Sequence, residues 1–198
     1  MSTDEAAQRL VDYIKSRPSF VYYKCDEPYG HMGATVADSI LQANNKYTTH
    51  VKPRVERILA RWPDEKTVTE LLNLLESVSP TDYLDWQGED RACRFRDVLH
   101  LFKEEGVENE SDLKVWLEKK VGDKTVDYFR IMVGLQGVAI DRRLLRFLAM
   151  AGTPISQSNY RAARDIVNRA ADLASIPRRD FDHSIWRYMD DHEDKACA

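Results

Sequence analysis

The sequence predicts an all-α fold. Apolar residues recur at three- and four-residue spacings along nearly the whole chain, strand signals are scarce, and proline or glycine closes the periodic segments. An N-terminal helix leads into an irregular stretch, "PSFVYYKCDEPYGHMG". The helical spacing then covers Ala37–Gln42, Val51–Trp62, Val68–Glu76, Ala92–Glu105, Asp112–Glu118, Thr125–Val133, Arg142–Met150 and Asn159–Leu173. Pro63, Pro80, Gly106 and Gly152 mark stops, which gives about ten short helices. Trp186 and Tyr188, in "HSIWRYM", read as core, and the acidic ending "DDHEDKACA" reads as a frayed tail over 191–198.

Composition narrows the function classes. The 198 residues can bury a substantial core as one domain or two packed helical lobes. Three cysteines, Cys25, Cys93 and Cys197, form no CxxC pair and no His/Cys cluster at metal-ligand spacing, so no structural metal is expected. No apolar run approaches the roughly 20 residues of a membrane span and no secretory leader is present, which points to a soluble, cytoplasmic protein.

The net charge of −4 conceals an asymmetry. From Lys114 to Arg187 there are fourteen Lys/Arg against eight Asp/Glu, or +6, and the remainder carries −10. Such a segment suits a phosphate-facing surface, because screening at about 8–10 Å lets local charge dominate. Solvated helix faces are the alternative.

The stretch "KKVGDKTVDYFRIMVGLQGVAID" carries the most specific pattern. Gly122 separates a helix ending near Lys120 from one beginning near Asp123, a helix–hairpin–helix whose second helix presents free N–H groups to an anion. Lys124 sits in that helix's first turn. Seventeen residues later, Asp141 opens the amphipathic helix "RRLLRFLAM". Asp141 is either a plain N-cap or a carboxylate kept ionised by the helix dipole for chemistry.

These residues resemble the helix–hairpin–helix GPD superfamily of base-excision DNA glycosylases. "KKVGDKT" matches the second half of that family's hairpin, L-P-G-[VI]-G-x-K-[TS], and "VAID" with "RRLLRFLA" is similar to its "IAVDTHVRRVLAR" block. Upstream, "DSILQANNKYTTHVKPRVERILARWPDEKTVTELLN" is similar to the opening of the family core in adenine-removing members, and "DRACRFRDVLHLF" looks like the arginine-bearing helix before the hairpin. The likeness runs from about Ala37 to Arg146. Lys119-Lys120 stand where the family has Pro-Gly, arginine follows Asp141, and the four-cysteine iron–sulfur loop is absent.

The resemblance implies a two-lobed helical fold with a DNA-binding cleft between a barrel lobe at 34–136 and a second lobe of 1–33 plus 137–190. It implies a DNA glycosylase, with AP-lyase activity where Lys124 attacks the sugar C1′; otherwise Lys124 is a DNA contact. Asp141 would stabilise the cationic sugar or activate the attacking nucleophile, and Asp38 would protonate the departing base, or else be a surface or capping aspartate. Lys119, Lys120, Gly122, Arg142, Arg143 and Arg146 would meet phosphate. Gln42, Asn44 and Asn45 would fill the gap left by the extruded base, or else simply end a helix. Tyr22, Tyr23, Tyr29 and His31 would line the base pocket, or else fill the core. The expected partner is double-stranded DNA, with a monomeric protein and no cofactor. A catalytically silent reader of DNA or abasic sites and a helical protein-interaction scaffold are the alternatives.

Overall fold

A computed structural model describes residues 1–43, 45–120 and 124–196, with side chains through His192. Among these residues there are eleven α-helices, one π-helical turn and no strand. No helix among them is long and apolar enough to cross a membrane. The helices divide into two compact units, one of residues 28–120 and one of 1–27 with 121–198.

In the unit of 28–120, α2 (Met32–Leu41) is buried on nearly every side and packs on α3 (Lys52–Arg61), α4 (Val68–Leu74) and α6 (Glu89–Glu104). A π-helical turn, Tyr47–Val51, leads into α3. The short α5 (Pro80–Leu84) brings Tyr83 between Trp62 and Phe95, with ring centroids 4.5 and 5.2 Å apart. The last helix of this unit is α7 (Glu110–Glu118), opened by a reciprocal cap between Asn109 and Asp112.

The sequence spacing starts α2 five residues late, at Ala37. His31 supplies the missing start signal: its Nδ1 accepts the Ala34 N–H at 3.2 Å, and its Nε2 lies 2.9 Å from the Trp62 carbonyl. Pro80, read as a stop, instead opens α5 one residue after its Ser79 cap, where a missing N–H costs nothing.

Gly33 is required by packing. A Cβ there would stand 2.0 Å from the Tyr83 hydroxyl and 2.9 Å from Leu71 Cδ2. Gly33→Ala should therefore destabilise the protein by about 1–3 kcal/mol, although alanine is the better helix former. Adding Tyr83→Phe removes the closest clashing atom and should recover part of that loss, and thermal melts of the two single variants and the double check both statements.

In the other unit, α1 (Thr3–Lys15) is opened by the Ser2/Glu5 capping box and lays Ala6, Ala7, Leu10 and Val11 on α10 (Tyr160–Ala174). α10 answers with Ala163, Val167, Ala170 and Ala171, small side chains that let the two backbones approach. α9 (Arg142–Met150) and α11 (Arg178–Ala196) complete this core around Phe147, Phe181 and Tyr188. α8 (Lys124–Met132) belongs to the same unit.

The units meet the chain at other points than the 34–136 lobe read from the sequence. Residues 28–33 belong with 28–120 because Glu110 accepts the Gly30 N–H at 3.0 Å and the Met32 N–H donates to the Lys66 carbonyl. Residues 124–136 belong with 1–27 and 137–198 because Asp127 is bonded to Tyr160 and Arg164 of α10. The ending expected to fray from 191 is helical through Ala196, and His192 stacks on Tyr188 at 4.0 Å while bonding its carbonyl at 2.7 Å.

Candidate functional site

The amphipathic spacing of "RRLLRFLAM" fixes one end of the site. Leu144, Phe147 and Leu148 are buried, so α9 must begin just before them, and Asp141 begins it. The Asp141 carboxylate accepts the Leu144 N–H at 2.9 Å, at the positive end of the helix dipole. Residues 138–140, which deliver it, are buried and lie outside any helix.

Lys124 is the first residue of α8 and is exposed. One turn later, Asp127 is only 1 % exposed. Its Oδ2 accepts from the Tyr160 hydroxyl at 3.0 Å and from Arg164 at 3.1 Å, while Arg130 lies 3.5 Å from Oδ1. Burial and the Asp127 charge together hold the Tyr160 phenol far above its ordinary range. This network anchors α8 to α10, and so fixes where Lys124 stands.

A third carboxyl, Asp182 on α11, was not among the residues singled out from the sequence. It is 8 % exposed, and its Oδ1 accepts the Ala139 N–H at 3.1 Å. Burial raises its pKa well above the ordinary carboxylate value; the charges of Asp141 and Asp127 push in the same direction, and the Ala139 amide and Lys124 oppose them. Asp141, Asp127, Asp182 and Lys124 therefore share one electrostatic neighbourhood. The sequence did hold a signal for Asp182, since it lies three and seven residues before the buried Ile185 and Met189, on the apolar face of α11.

Around this group, Arg143 pairs with Asp190 at 2.7 Å and lies over Trp186 at 4.8 Å. Trp186, read as core, is only half-buried, whereas Tyr188 is in the core. Arg142 and Arg146 are exposed on α9. Tyr23 donates its N–H to Ser184 at 2.8 Å and carries Arg187 over its ring at 4.6 Å. Tyr22 packs against Phe20 and Phe181, and burial raises its phenol pKa.

The other residues predicted for the site belong to the unit of 28–120. Asp38 is fully buried and accepts from the Tyr29 hydroxyl at 2.7 Å, with Tyr47 3.5 Å from that hydroxyl. Burial, reinforced by Asp38, keeps the Tyr29 phenol protonated. His31 is buried with both ring nitrogens engaged, which makes it a helix cap. Gln42 caps the end of α2, and Asn45 donates to the Leu41 carbonyl at 2.5 Å. Lys119 caps α7; Lys120 pairs with Glu105 at 3.6 Å and lies over Trp116 at 4.5 Å. Gly122 and Asn44 lie outside the described residues. Tyr22 and Tyr23 thus fall in one unit and Tyr29 and His31 in the other.

No group of three His, Cys, Asp or Glu among the described residues is arranged to hold a metal ion. The chemistry on offer is a capped carboxylate, an exposed amine and a buried acid.

Residues 95–190, just under half of the chain, match a family model described as "Domain of unknown function (DUF8548)". This span includes Lys124, Asp127, Asp141 and Asp182. No curated protein and no solved structure matches the chain.

Proposed function

We propose that the protein is a DNA glycosylase of the helix–hairpin–helix GPD type, acting on duplex DNA in base-excision repair. The observation that carries this reading is the Asp141 carboxylate, held by the Leu144 amide at the start of α9 and sharing its electrostatic surroundings with Lys124. In excision the C1′–N bond breaks with its electron pair leaving on the base, and a water oxygen adds to C1′. A fixed carboxylate favours that reaction because positive charge grows on the sugar. The exposed Lys124 amine suits attack on C1′ of an abasic sugar, where water leaves and an imine forms. The basic balance of residues 114–187 and the exposed Arg142 and Arg146 support a phosphate-bearing partner.

Borohydride trapping on a duplex with one abasic site tests the lyase step. The expected result is a covalent adduct that is absent from Lys124→Ala. Salt-sensitive binding without an adduct, or excision without an adduct, removes the lyase step. Absence of DNA binding at low salt overturns the whole reading.

A further inference from the structure

The first turns of α11 hold two non-helical segments of the same unit. On one side Asp180 accepts the Cys25 N–H at 2.9 Å, Ser184 accepts the Tyr23 N–H at 2.8 Å, and the Cys25 thiol donates to the Arg179 carbonyl at 3.4 Å. On the other side Asp182 accepts the Ala139 N–H, and the Arg179 N–H reaches Gln136 Oε1 at 3.4 Å. Ala139 also closes a small apolar cluster with Cys25 and Ile131. Segment 138–140 therefore has its apolar side chains in the core and its central amide on Asp182. Asp141 is the next residue along.

We propose that Asp182 is a positioning residue for Asp141, fixing through the Ala139 amide the segment that delivers Asp141 to the start of α9. Its role in excision rests on the glycosylase reading; its role in placing Asp141 does not. The charges of Asp141 at the start of α9 and of Lys124 and Asp127 on α8 act on it, and its own charge acts on the Cys25 thiol of the N-terminal segment. Burial, with the charges of Asp141 and Asp127, makes Asp182 hold its proton more tightly than an ordinary carboxyl. The neutral acid accepts from Ala139 without setting a second full negative charge beside Asp141. Asparagine reproduces that arrangement: its amide oxygen can take the Ala139 N–H, and its NH2 replaces the acid O–H. Alanine does not.

Because folding raises the Asp182 pKa, the folded state binds the extra proton. Stability contributed at this residue is complete at low pH and declines as pH rises from about 4 towards the folded value. Asp182→Asn removes that decline.

The test is amide hydrogen exchange by NMR on wild type, Asp182→Asn and Asp182→Ala, read at Ala139 and at Leu144, whose N–H is held by Asp141. Wild type and the asparagine variant should protect both amides, and the alanine variant should expose Leu144 by about 5-fold, the size of a lost helix cap. Unchanged Leu144 protection in the alanine variant overturns the proposal. Should that variant fail to fold, the asparagine variant decides: the Asp141 Cγ resonance of wild type should report a second ionisation, above the ordinary carboxylate range, that is absent from Asp182→Asn. An identical Asp141 titration in both overturns the proposal. Excision assays on the same proteins should show a loss of about 100-fold for alanine and little change for asparagine. A wild type without excision defeats the glycosylase reading alone, because amide exchange and the titration need no substrate.

Discussion

Replacing Asp127 by alanine should lower the unfolding free energy by about 3–5 kcal/mol, the largest stability loss expected from a single substitution in α8. The carboxylate is buried and binds Tyr160 and Arg164 at once, with Arg130 close by. Removing it leaves the Arg164 guanidinium, 19 % exposed, without its principal counter-charge, and a phenol without its acceptor. Asp127→Asn keeps an acceptor for Tyr160 and should lose less. Urea unfolding measures the difference, and a midpoint shift equivalent to less than about 1 kcal/mol in the alanine variant would sink the argument. Because α8 also carries Lys124, the damaged variant should lose borohydride trapping well before it loses its helical signal on heating.

The second large effect separates chemistry from folding at one residue. Asp141→Asn should reduce base excision by about 10²–10³-fold, since an amide cannot offer a full negative charge to the developing sugar cation. Stability should stay within about 0.5 kcal/mol of wild type, because asparagine is as good an N-cap as aspartate and can still accept the Leu144 N–H. Single-turnover kinetics beside thermal melts give both numbers from one preparation. Equal losses in both would reduce Asp141 to a cap, and unchanged excision would remove it from the reaction.

Much of the helical layout could be read from residue types. For α9 the apolar spacing of Leu144, Phe147 and Leu148, an aspartate before it and Gly152 after it coincide, so its expected and observed bounds are the same. Where a helix starts on a residue rarely used as a cap, as α2 does on His31, local rules place the start too late. Pro80 shows the opposite ambiguity, since proline after a helix and proline at the first position of the next look alike in sequence. The candidate site was legible at Asp141 and Lys124 because motif spacing names them. Asp182 and Asp127 were not singled out, because their importance comes from being buried against partners far along the chain, Ala139 in one case and Tyr160 and Arg164 in the other. Contacts of that range leave no local pattern.

The packing of α1 on α10 has a consequence for biosynthesis. Residues 28–120 form a continuous unit, whose internal packing partners are all in place once they leave the ribosome. The other unit is split, with α1 before residues 28–120 and α8 to α11 after them, so its closure links segments far apart in sequence. Until α10 emerges, Ala6, Leu10 and Val11 have no surface to cover them; once it does, a chain lacking α1 leaves Ala163, Val167 and Ala170 bare. Nascent chains arrested before α10 should therefore be bound by chaperones through α1, and deletion of α1 should yield aggregates rather than a smaller folded protein.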